Sequence, residues 1–430
     1  MKERGNMEQY SKSRTMAALV GCTLILATGI GSTSIMNAVL PEIVAGVGCD
    51  LTTFMIGPMI ATIAAFLAGL VGAKVIDILT PKWALMLGTI CVTIVLVLVG
   101  FASNMPVWVL ANLINGIVLA FGAYASVAGV VAEFKGAKTQ QVFGIVSGAA
   151  ALVISAEVAL AGALLNAMSY REVFYIFAAI TLVVGTFSNL VLVGKMPSRK
   201  ERAARKEAAA QAKAAQVDSG ENKMPAGLTV KEALKSPALY LFLLAMFFGA
   251  WALNGVTTYL SVFLTSFNLT TSEAAGFASI LGVFIAVIKF GAGWFIKKFG
   301  TKALAASIGV SFCIGIGLML FWTQSGALAL VYVGLLLAAM IGFVTILPGL
   351  FVSDIFGMKD YTGLNSIGMA IFYLGTATLT IGFAAIIAKI GIVNAYVFLI
   401  ACGVISMACL FIALVISPVK KMEQKDPSQA

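Results

Sequence analysis

The sequence contains no histidine. No imidazole relay, histidine-ligated metal or Ser-His-Asp triad can therefore be built from it. Charge is scarce as well: 11% of residues are charged, against about 25% in soluble domains. With 60% hydrophobic residues, the chain reads as a membrane protein. The six cysteines form no C-x-x-C pair; Cys22, Cys91, Cys313, Cys402 and Cys409 fall in apolar runs as small hydrophobes, and Cys49 alone falls outside one. Neither a disulfide framework nor a thiolate metal cage is implied. No nucleotide-binding loop or catalytic constellation is found, so no enzyme, primary pump, cofactor or metal is expected. The net charge of +10 sits in loops and tails, where it reads as topology and not as affinity for nucleic acid.

What is abundant is runs of about twenty apolar residues, the length that crosses a bilayer. There are twelve: Met16–Leu40, Met55–Ala73, Trp83–Phe101, Val107–Val131, Val142–Leu165, Val173–Val193, Ala238–Leu264, Ala274–Phe295, Ala303–Trp322, Ala327–Val352, Gly363–Ala388 and Val393–Ile416. The first has no small-residue cleavage site after it and reads as a membrane helix, not a signal peptide. With both termini cytoplasmic, 25 of the 28 Lys and Arg residues fall on the inner side, leaving Arg171 and Lys389 outside and Lys289 within a span. That asymmetry orients the chain in the cell's inner (plasma) membrane.

The expected organisation is a six-helix bundle over 1–194, a linker over 195–237, a second bundle over 238–417 and a tail over 418–430. The linker opens with a charged stretch of helix formers over 199–213 that has no apolar stripe. The halves repeat. Ala73-Lys-Val-Ile-Asp77 to Lys82 matches Gly293-Trp-Phe-Ile-Lys297 to Lys302, Leu51-Thr-Thr matches Leu269-Thr-Thr, and Glu133 to Lys138 matches Asp354 to Lys359. The fold class expected is an all-α integral membrane protein, with twelve helices in two pseudo-symmetric bundles and a site between them.

These motifs resemble the major facilitator superfamily, whose turn after the second span is G-x-x-x-D-x-x-G-x-[RK]. Asp77 and Lys82 match it, while Ala73 and Thr80 replace the glycines; the second copy keeps Gly293, Gly300 and Lys302, with Lys297 at the acid position. The resemblance implies alternating access by a monomer, with Asp77, Lys82 and Lys302 as parts of an inner gate. Asp354-Ile-Phe-Gly357 and the eighth-span Lys289 are similar to the oxalate–formate and monocarboxylate branch, in which an eighth-span cation holds the substrate carboxylate. The first-span monocarboxylate motif is missing, and the eleventh span lacks the oxalate carriers' second cation.

Two ionisable side chains lie within the hydrocarbon region, Glu157 in the fifth span and Lys289 in the eighth. The resemblance sets those spans face to face, with Cα levels about 10 Å apart at ~1.5 Å per residue. A charge at that depth costs roughly 2.5–3.5 kcal/mol on insertion scales, so such groups default to function. Lys289 is the candidate for a substrate anion and Glu157 for a proton, since desolvation favours the neutral acid. A structural ion pair is the other reading. Asn37, Asn254, Tyr124, Trp251, Tyr259 and Tyr373 are the candidate cavity residues. The function expected is proton-coupled transport of a monovalent organic anion (a carboxylate), the partners being that anion, protons and the bilayer. An exporter of amphipathic compounds, such as drugs or bile-acid-like anions, and a non-transporting sensor of the same fold are the alternatives.

Overall fold

A computed structural model describes residues 11–121, 124–135, 139–198, 201, 227–345, 347–357 and 359–419. At some helical positions, Tyr124, Lys289 and Lys297 among them, it describes the backbone alone. Most of the charged helix expected over 199–213 lies outside the described residues, as does Lys138.

Hydrocarbon offers no water to an unpaired amide, so each crossing closes its own hydrogen bonds as a helix. Helix α1 is Lys12–Ala38. Ile56–Phe101 forms two arms, α2 (56–79) and α3 (81–101), which meet at Thr80 (φ 69°, ψ 153°). Helix α4 comes in two pieces, Met105–Phe121 and Tyr124–Lys135. Helix α5 is Thr139–Leu164, and α6 is Tyr170–Phe187 extended by a π-helical stretch, Ser188–Val193. Helix α7 is Pro237–Thr265. Thr271–Ser325 divides at Gly300 (φ 80°, ψ 169°) into α8 (271–299) and α9 (301–325). Helix α10 is Ala329–Ala338, a 3-10 stretch Ala339–Thr345, and Leu347–Phe356. Tyr361–Val415 divides at Gly391 (φ 80°, ψ 161°) into α11 (361–390) and α12 (392–415).

Nine helices among the described residues are long and apolar enough to cross a membrane. The interrupted α4 and α10 and the merged final pair account for the difference from twelve. Pro348 sits in the first turn of Leu347–Phe356, where its missing N–H is no loss; the break lies in the 3-10 stretch before it. Sequence-encoded caps begin two of the other helices. Ser169 with Glu172, and Thr270 with Glu273, form capping boxes at the starts of α6 and α8, each satisfying two orphan amides.

The end of the bundle that carries Lys74, Lys82, Lys298, Lys302 and Lys359 is here termed lysine-rich. At that end the last described part of the linker is docked on the second half. Gly227 bridges Gly357, the Leu228 N–H donates to the Phe356 carbonyl at 2.8 Å, and the Val230 N–H donates to Asp360 Oδ2 at 3.1 Å.

The buried core shows how the halves meet. One continuous core runs the full length of the second half and takes in first-half residues of the lysine-poor end, from Ile35 to Met55 in α1 and beyond, Val158 in α5 and Phe174 in α6. A second, separate core lies at the lysine-rich end of the first half and includes Cys22, Leu26, Leu85, Val130, Val146 and Val193. The halves therefore share one buried core at the lysine-poor end, while at the other end the first half keeps a core of its own among the described residues.

Along one side, α5 and α8 cross in antiparallel fashion. Gly162 faces Ala275, with a β-carbon there only 2.7 Å from that methyl; Ser155 faces Gly282, and Gly148 lies under the Phe290 ring. The contact positions are 148, 155 and 162 on α5, seven residues apart, and 275, 282 and 290 on α8. Small residues at such a seam let helix backbones approach closely.

Candidate functional site

Glu157 projects from α5 toward α1. Its carboxylate fills a notch that exists because residue 31 is glycine: a β-carbon on Gly31 would occupy the space of Glu157 Oε2. The side chain is half-buried and makes no hydrogen bond or ion pair with any described residue. Ile154, one turn below it, packs against both buried cores. Glu157 thus stands near the level where the core common to the two halves gives way to the first half's own core.

The contact register of the α5–α8 seam fixes the relative level of the two charged positions. Glu157 is level with about Ile280 and residue 289 with about Gly148. Roughly nine residues separate them, ~13 Å along the helix axis. The expected separation of about 10 Å is of the same order. Lys289 directly precedes Phe290, the α8 residue that covers Gly148, toward the lysine-rich end; its side chain, like that of Tyr124, lies outside the description.

The other candidate residues are not gathered around Glu157. On α7, Trp251 Nε1 donates to Thr378 Oγ1 at 3.1 Å and Asn254 Nδ2 donates to Thr376 Oγ1 at 3.1 Å. The Tyr259 hydroxyl donates to the Thr380 carbonyl, and its ring packs on Phe383 at 4.9 Å. All three polar groups tie α7 to α11 inside the second half, and Tyr259, 0% exposed, presents nothing to a solute. Tyr373 on α11 is 39% exposed, with its ring edge toward Phe372. Asn37 is partly buried beside Ala38. Two further α4 amides are buried: Asn112 donates to the Trp108 carbonyl, and Asn115 donates to Thr33 Oγ1 at 3.3 Å and leaves its Oδ1 unpaired.

The expected gate residues lie at the lysine-rich end. Lys82 Nζ donates to the Gly194 carbonyl at 2.7 Å, and the Lys82 carbonyl accepts from Asn189 Nδ2. Both bonds hold the α2–α3 turn to the end of α6 within the first half. Asp77 and Lys302 are exposed. Near Lys302 it is Thr301 that makes the inter-helix bond, donating to Asp354 Oδ2 at 2.7 Å.

What sequence reading missed is a row of hydroxyls between the halves. Ser279 Oγ donates to the Ser155 carbonyl at 2.6 Å, Ser261 Oγ to the Ala38 carbonyl at 2.8 Å, and Thr271 Oγ1 to Glu42 Oε1 at 2.8 Å. The serines carried no signal, because a hydroxyl in an apolar helix usually bonds back to its own turn.

Among known proteins, the family model described as Major Facilitator Superfamily matches residues 21–359. No curated protein sequence matches. Of 294 matching solved chains, one is described as the crystal structure of a D-xylose-proton symporter. It shares 16% identity at a TM-score of 0.68, over 93% of this chain and 96% of that one. Another, a bacterial homologue of the human drug peptide transporters PepT1 and PepT2, shares 16% identity at 0.65, over 95% and 99%. Identities this low speak for the fold. The family match spans most of the chain, and with two repeated bundles of membrane-crossing helices the protein belongs to the Major Facilitator Superfamily of membrane transporters.

Proposed function

We propose that the protein is a secondary transporter that couples protons to a monovalent organic anion by alternating access, with Glu157 carrying the proton and Lys289 receiving the carboxylate. The observation that carries this reading is the Glu157 carboxylate, which has no donor among the described residues and is seated against Gly31 near the limit of the core that the two halves share. A structural acid at membrane depth would be expected to have a donor. The repeat sharpens the point. At the offset of the neighbouring turn (354 − 133 = 221), Glu157 corresponds to Thr378, which does have a donor, the Trp251 indole. The first half has an acid and a glycine notch where the second half has a closed hydrogen bond.

Charge arithmetic supports strict coupling. Each isolated charge at depth costs roughly 2.5–3.5 kcal/mol. A proton on Glu157 alone, or an anion on Lys289 alone, leaves one charge uncompensated during reorientation. Loading both leaves none. The position of Lys289 and the Asp354-Ile-Phe-Gly357 turn favour a carboxylate carrier of the oxalate–formate and monocarboxylate type. With the lysine-rich end read as cytoplasmic, the core shared only at the opposite end supports reading this state as inward-facing.

The test is Glu157→Gln in proteoliposomes loaded with candidate monocarboxylates. Accumulation driven by a pH gradient should be lost while counterflow exchange survives. Wild-type accumulation by the variant would remove Glu157 from the mechanism.

A further inference from the structure

We infer that Ser261 and Ser279, with Thr271 at the rim, form a hydroxyl latch that holds the lysine-poor end shut and sets the balance between the transporter's two open states. This does not depend on the proton or anion assignments. The three donors all belong to the second half and the three acceptors to the first: the carbonyls of Ser155 and Ala38, and Glu42 Oε1. They rise from the level of Glu157 to the rim of the lysine-poor end. Ser261 is 1% exposed and Ser279 8%, so both bonds are screened from water in this state. Separating the halves at this end must break every one of them.

The chemistry suits a latch that opens on every cycle. A buried ion pair leaves costly charges behind when it breaks, whereas a serine hydroxyl can turn back to a carbonyl one turn earlier in its own helix. Neighbours on α7 already do so: Thr257 bonds to the Leu253 carbonyl at 3.0 Å and Thr265 to the Ser261 carbonyl at 2.9 Å. Opening therefore exchanges a hydrogen bond for a hydrogen bond. The two buried members contain no charged group, so added salt has nothing to screen there.

Hydrogen–deuterium exchange on the full-length protein in lipid nanodiscs, wild type against Ser261→Ala/Ser279→Ala, tests this. Each bond removed should shift the balance roughly two- to tenfold toward opening at the lysine-poor end. Peptides covering 38–56 and 259–275 should take up deuterium faster, while those covering 74–82 and 298–302 become more protected as the other end closes. Uptake unchanged at both ends, or raised at both, would overturn the latch, because simple loosening has the same sign everywhere. Should the double variant not fold, Thr271→Val, changed at a partly buried rim position, should produce the same opposed signs at smaller amplitude. Failure to do so would count equally against the proposal.

Discussion

Replacing Thr80 with glycine should stabilise the protein. Thr80 joins α2 to α3 at φ 69°, ψ 153°, a region where a β-carbon costs on the order of 1–3 kcal/mol. Both angles have identifiable causes. Pro81 forces the preceding residue to an extended ψ, while the reversal between the arms demands the positive φ. The related breaks at Gly300 and Gly391 have almost the same angles, φ 80° in each, and glycine occupies both. Glycine's extra freedom in the unfolded chain returns about 0.5–1 kcal/mol of the gain. A net stabilisation of roughly 0.5–2 kcal/mol is left, a rise of about a few degrees in the unfolding midpoint in detergent. Thr80→Ala keeps the β-carbon and should gain little. If alanine stabilises as much as glycine, the benefit comes from losing the threonine side chain and the backbone argument fails.

Four further outcomes follow from the packing. Gly31→Ala should push the Glu157 carboxylate out of its notch and shift the pH profile of transport, with expression intact because the displaced atom ends a flexible side chain; an unchanged profile would mean the notch is irrelevant. Gly315→Val should cost about 1–3 kcal/mol in thermal unfolding, since a β-carbon there lies 2.5 Å from the Ala338 nitrogen and 2.6 Å from the Gly334 carbonyl, both backbone atoms. A double-mutant cycle on Asn254 and Thr376 should give a coupling near ~0.6 kcal/mol and leave substrate affinity unchanged. Hydrogen bonds from the Thr229 backbone and hydroxyl, aided by Lys359, hold the exposed Glu232 carboxyl below its ordinary range. A depressed acid contributes stability above its unfolded value and loses it as pH falls. The linker dock at 227–233 should accordingly loosen in hydrogen exchange below about pH 4, not at alkaline pH.

The spans and the repeat were legible because they depend on composition and spacing alone. Glu157 was legible for a related reason: an acid in an apolar run stands out whatever surrounds it. The partners of Trp251, Asn254 and Tyr259 were not. Spacing on α7 says that certain side chains share a face, but not that the face meets α11 and spends its polar groups on Thr376, Thr378 and Thr380. Lys82 looked like half of a gate because turns of this kind hold charges of both signs; its bond to the Gly194 carbonyl joins residues 112 positions apart, beyond the reach of local pattern. The seam between α5 and α8 sits between these cases. The small side chains at 148, 155 and 162 on α5 and at 275 and 282 on α8 are present in the sequence, yet neither set has meaning until the other is placed opposite.

The division of the buried core has a mechanical corollary. A body whose interior is one piece unfolds as one piece, whereas an interior in two pieces has a natural fault. The second half, with its single core, should act as the stiff anvil of the machine. The lysine-rich third of the first half, around Cys22, Leu85 and Val146, forms a small cooperative unit of its own. It should be the first region to melt on warming and the first to be cut by a protease, while the remainder of the fold still stands.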